Sequence, residues 1–135
     1  MKQRISAAQL MELTPEQQEK LREWWKKNLQ HGDVFICEGM TLVVTDPRGS
    51  RHVLACSIND SDAECDFYHL ENCLPLVSIG QCIQLLEEAG RFKGFHKSST
   101  DGRYKVYNEN ELHDMVIHDA LELIDALFEA IKSIL

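Results

Sequence analysis

Oxygen-bearing side chains crowd one short stretch of this 135-residue chain, Asp60-Ser61-Asp62-Ala63-Glu64-Cys65-Asp66, with Glu71 following. Counted from Asp60, oxygen donors stand at positions 1, 3, 5 and 12 of a calcium-loop pattern. The pattern breaks where its geometry is strict. Position 6 is Cys65, where the sharp turn needs glycine, and the residues before it read as strand, not helix. An acidic loop is the simpler reading, and no metal site is expected. Asp60, Asp62, Glu64 and Asp66 can still offer negative charge to a basic protein partner.

Histidine and cysteine are the other candidates for chemistry. His113 and His118 are five residues apart, not the four that places two zinc ligands on one helical face. On a helix, His118 would instead meet Glu122 one turn on. Cys37, Cys56, Cys65, Cys73 and Cys82 are odd in number and include no C-x-x-C, so five free thiols and no disulfide are expected. Cys82 sits in a first helical turn that would favour a thiolate, yet it falls among Ile79, Ile83 and Leu86 on an apolar face. No catalytic residue and no cofactor is assigned, and an enzyme is the less favoured reading.

Lys97, Arg103 and Lys105 interleave with Phe95, Tyr104 and Tyr107 around Thr100-Asp101-Gly102, a strong hairpin turn. Lys97, Arg103, Tyr104, Lys105 and Tyr107 are therefore candidates to hold a small anionic, nucleotide-like ligand. The plainer role is an edge hairpin whose lysines discourage aggregation. The Gly90–Gly94 stretch lacks the loop-to-helix context of a phosphate cradle.

The elements that position these groups follow from periodicity and caps. Residues 6–13 read as a short helical lead-in. Thr14-Pro15-Glu16-Gln17 then starts a helix, with Thr14 and Gln17 as a capping box and Pro15 at the first position. Trp24 and Trp25 lie along its apolar face with Leu21 and Leu29. They serve either as a partner-binding contact or, more simply, as anchors on a sheet. Residues 34–37, 40–45 and 51–58 are short strands with turns between, which makes an antiparallel meander. Phe67-Tyr68 adds a fourth strand or covers an edge, and 74–76 is extended. Ser78 and Gln81 cap a second helix that Gly90 ends.

From 110 to 135, apolar residues recur at steps of three and four, so one long closing helix is expected to dominate the core. Ile117, Leu121 and Phe128 fall off its main face. Exposed together they would mark an interface; buried, they would make the helix central scaffold. The expected fold is α+β: a single domain, an antiparallel sheet (meander plus hairpin) packed with three helices, in the order α-β-β-β-α-β-β-α.

Composition sets the remaining limits. Hydrophobic residues at 44% and charged residues at 27% describe a folded chain. A net charge of −8 argues against direct binding of nucleic acid. No stretch has the length of a membrane span or the apolar run of a signal peptide, so a cytoplasmic protein is expected.

LTPEQQEKLREWW (13–25), CLPLVSIGQCIQLLEEAG (73–90) and ELIDALFEAIKSIL (122–135) together resemble small proteins encoded by phages and prophages of Gram-positive bacteria. The resemblance implies an accessory viral protein of the host cytoplasm that acts by binding another protein. One specific form is a counter-defence inhibitor, whose acids occupy the basic groove of a host nucleic-acid-binding protein. Two alternatives stand beside it: a small-ligand binder or enzyme using the hairpin, and a structural homodimer.

Overall fold

A computed structural model describes residues 1–47, 51–59, 64–109 and 115–135. The chain is α+β and divides into two compact units, Ser6–Val77 and Met1–Ile5 with Ser78–Leu135.

In the first unit, both early helices start as their sequences dictate. Helix α1 (Ala7–Glu12) is capped by Ser6 with Gln9, and α2 (Pro15–Lys27) by Thr14 with Gln17. In the second box the Gln17 amide donates to Thr14 Oγ1 at 3.1 Å, and the Thr14 amide donates to Gln17 Oε1 at 2.9 Å. Strands β1 (Val34–Cys37), β2 (Met40–Asp46), β3 (His52–Ser57), β4 (Asp66–His69) and β5 (Cys73–Pro75) follow. They form an antiparallel sheet in the order β4-β3-β2-β1-β5. The expected meander is present, and the extended stretch at 74–76 contributes β5 at its far edge. Between β1 and β2, Glu38 and Gly39 both have positive φ, 52° and 79°. That is the two-residue turn whose twist matches a hairpin.

Alternation along the strands turns Phe35, Cys37, Leu42, Val44, Val53, Ala55 and Cys73 to one side, where Trp25 and Leu70 complete a buried cluster. The Trp25 ring lies 5.3 Å from that of Phe35. Its Nε1 donates to Asp33 Oδ2 at 3.0 Å, and the Gln30 amide donates to the same oxygen at 2.9 Å. The one buried carboxylate among the described residues is therefore hydrogen-bonded, as burial requires.

The second unit is tied to its N-terminal piece by a bridge between Arg4 and Ser78 and by the Ile79 amide donating to the Gln3 carbonyl at 3.1 Å. Helix α3 (Ile79–Glu88) begins in the Ser78–Gln81 capping box. Strands β6 (Gly94–Lys97), β7 (Tyr104–Glu109) and β8 (Met115–Ala120) make a separate antiparallel sheet in the order β6-β7-β8. Helix α4 (Leu123–Lys132) packs on β7, β8 and α3. It buries Leu123, Ile124, Ala126, Leu127, Phe128, Ala130 and Ile131.

The long closing helix is corrected here. Residues 110–114 lie outside the described residues, and Met115–Ala120 is a strand paired with β7 over six rungs. The helix starts only at Leu123. β-branched Val116 and Ile117 suit a strand, and the hydrogen bonds of a full ladder outweigh a helical spacing that continues upstream by coincidence. The helical lead-in forms α1, Phe67-Tyr68 takes the fourth-strand alternative as β4, and β8 is added to the expected order, with the meander and the hairpin in two sheets.

Candidate functional site

Asp60 and Asp62 lie outside the described residues. Glu64 and Asp66 are exposed at the start of β4, the edge strand of the five-stranded sheet. Next to them Phe67 is 68% exposed. It stands directly opposite Leu54 of β3. By alternation Leu54, Cys56 and Ile58 share its face, the one turned away from Trp25, and Ile58 is 50% exposed. An exposed phenylalanine on an edge strand, with acids beside it, is what a partner strand could cover. Among the described residues neither Glu64 nor Asp66 has an ion-pair partner; Asp66 Oδ1 accepts a hydrogen bond from the Phe67 amide at 2.8 Å.

The expectation of five free thiols is corrected at this edge. The β3–β4 register sets Ala55 opposite Asp66, and one rung further brings Cys56 to Cys65 with Cα atoms 4.3 Å apart, where a disulfide joins them. A spacing of nine residues hid a pairing that only the strand register reveals. At the other end of β4, His52 and His69 face each other with ring centroids 4.8 Å apart. Glu71, the last donor of the calcium-like pattern, is bound to Lys26, whose hydrogen bond holds its carboxyl below the usual range. No group of three or more histidine, cysteine or acidic side chains is placed to hold a metal among the described residues.

Trp24 and Trp25, the aromatic pair of α2, face the sheet. Trp25 is fully buried and Trp24 is half-buried against the same cluster. Both rings continue the face on which α2 meets the sheet, so packing claims them first.

The basic-aromatic hairpin forms, but strand alternation divides its side chains. Arg103, Lys105 and Tyr107 share one face with His96, while Lys97 and Tyr104 lie on the other. On the first face Tyr107 stacks on His96 at 5.1 Å, and its hydroxyl is 3.2 Å from His96 Nε2. Arg103 Nε is 3.4 Å from Asp119 Oδ2. On the second face Lys97 Nζ sits 5.6 Å from the Tyr104 ring centre. The five ligand candidates do not converge on one site. Lys97 is taken up by Tyr104, Tyr107 by His96 and Arg103 by Asp119.

The thiols and His118 also take up structural settings. Burial pushes the Cys82 thiol up to about 12, and burial with a hydrogen bond to Cys37 raises Cys73. Neither is a thiolate near neutrality. His118 lies on β8 opposite Val106, so its expected helical pairing with Glu122 does not exist. Its Nε2 is buried without a hydrogen bond, and burial lowers its pKa against an opposing pull from Glu129. Of the three interface candidates, Phe128 is 1% exposed and belongs to the core of α4, whereas Ile117 and Leu121 are 54% and 68% exposed. They fell off the helical face because they are not on the helix.

The residue missed at the sequence level is Phe67 as a binding group. Its only signal was an aromatic pair, Phe67-Tyr68, after an acid at the start of a short strand. No protein-family model, curated protein sequence or solved structure matches the chain.

Proposed function

We propose that the chain acts as a binding protein whose β4 edge takes up an extended, basic segment of another protein. The observation that carries the reading is Phe67, 68% exposed on an edge strand, with Glu64 and Asp66 beside it. An added strand would satisfy the open backbone groups of β4, a recurrent mode of peptide recognition. An apolar side chain of the guest would cover Phe67, and lysine or arginine at its neighbours would meet the two acids. The net charge of −8 steers a basic guest and repels acidic ones. In the narrower form, the guest belongs to the nucleic-acid groove of a host protein, and the chain is a phage accessory inhibitor. The proposal sets the protein in the cytoplasm, where reducing conditions open Cys56–Cys65 to thiols and the β3–β4 ladder alone holds the edge.

A fluorescent peptide alternating lysine and valine tests the reading by anisotropy. The wild-type chain is expected to bind it and to ignore the same peptide with glutamate for lysine. Phe67→Ser and the pair Glu64→Lys, Asp66→Lys should each weaken binding at least about tenfold, a loss of about 1.4 kcal/mol. Equal affinity for both peptides, or binding unchanged by the substitutions, rejects it.

A further inference from the structure

The two sheets expose four edge strands among the described residues, β4, β5, β6 and β8, and they are not equally protected. Natural sheets blunt open edges with short strands, proline, lysine or charge. β5 has three residues and includes Pro75; β6 has four and ends on Lys97. β4 has four and starts with Asp66. β8 is the least protected of them, its one formal charge being Asp119. It is six residues long, MVIHDA, with no proline, lysine or arginine, and its ladder to β7 runs without a register shift. Ile117 is exposed in its middle and Leu121 just past its end.

Charge points to the occupant. A chain carrying −8 meets a second copy most easily where its own surface is locally balanced. On β8, Asp119 is neutralised by Arg103 at 3.4 Å and faces Lys105 across the ladder. Burial disfavours the charged form of the His118 ring, against a pull from Glu129. Among the described residues of β8 the one formal charge, Asp119, is paired, so the strand offers an approaching copy hydrogen-bonding groups and an exposed isoleucine.

We infer that two copies of this chain associate by antiparallel pairing of β8 with β8, the two-fold axis passing beside Ile117. Self-pairing of antiparallel strands is isologous, so one strand supplies both halves of the interface. An axis at Ile117 sets the two exposed isoleucines against each other. A ladder roughly 20 Å long makes a contact smaller than the roughly 1,200 Å² of a stable interface, so the dimer is weak and dissociates on dilution. This goes beyond the guest strand proposed for β4 and uses a different sheet.

Sedimentation velocity of the full chain, from about 10 µM to about 1 mM, tests it. A concentration-dependent dimer is expected. Ile117→Lys, with an unchanged far-ultraviolet circular dichroism spectrum, should weaken association at least about tenfold. Ile117→Cys should give a disulfide-linked dimer under mild oxidation, and Met11→Cys, elsewhere on the surface, should not. Phe67→Ser should leave the dimer intact, which separates this inference from the β4 reading. A monomer throughout the range, a dimer unaffected by Ile117→Lys, or no cross-link through Ile117→Cys would overturn it.

Discussion

At the scale of single residues, the chain separates groups that hold it together from groups it leaves available. Asp33 belongs to the first kind. Its buried Oδ2 satisfies both the Trp25 indole and the Gln30 amide. Asp33→Ala leaves the buried Trp25 indole and the Gln30 amide without their acceptor, and denaturant unfolding should show a loss of about 1–3 kcal/mol. His118 is a second case. Its folded-state pKa lies below the ordinary 6.5, because burial disfavours the charged ring. The unfolded chain then binds more protons below pH 6.5, so this contribution is full above that value. It declines as pH falls from 6.5 toward the lower folded value. His118→Gln should remove that part of the decline, and superimposable pH profiles for the two proteins would refute the assignment. Phe67 belongs to the available kind: Phe67→Ser should leave stability unchanged while it abolishes binding.

At the scale of elements, two starts are imperfect and can be improved. Helix α4 is capped by Glu122, which makes no side-chain cap hydrogen bond. Glu122→Asp should therefore stabilise the fold by about 1 kcal/mol, measured by thermal unfolding. Glu38 holds a positive φ of 52° in the β1–β2 turn. Glu38→Asn, which tolerates that region, should gain about 0.5–1 kcal/mol. The contrast with the other helices shows what a sequence can carry. Thr14 with Gln17 and Ser78 with Gln81 announced their helices because a capping box is a local agreement over four residues. The β1–β2 and β6–β7 hairpins were legible for the same reason, through Glu38-Gly39 and Asp101-Gly102. β8 was not legible, because its assignment rests on pairing with a strand across a connection. Nor was Cys56–Cys65, which depends on a register of β3 and β4 that nothing local encodes. The candidate site shared that fate: its acids could be read, but the exposure of Phe67 follows from β4 being the last strand of its sheet.

At the scale of the whole molecule, charge and open edges suggest two kinds of contact. The acidic balance favours a basic guest at β4, while the locally neutral β8 suits a second copy. The first contact should therefore be the salt-sensitive one. Raising salt from about 0.1 M to about 1 M shortens the screening length from about 10 Å to about 3 Å. Binding of the lysine–valine peptide should weaken severalfold over that range, whereas β8 association, apolar and backbone-mediated, should hold or strengthen. The reverse ordering would count against both assignments. The most direct test of the central claim is an amide-resolved NMR titration of the full chain with that peptide. Perturbations concentrated on Glu64, Asp66, Phe67, Tyr68 and their β3 neighbours, absent in Phe67→Ser, are what a guest strand at β4 requires. Shifts centred on the β6–β7 hairpin, or no shifts at all, would contradict it.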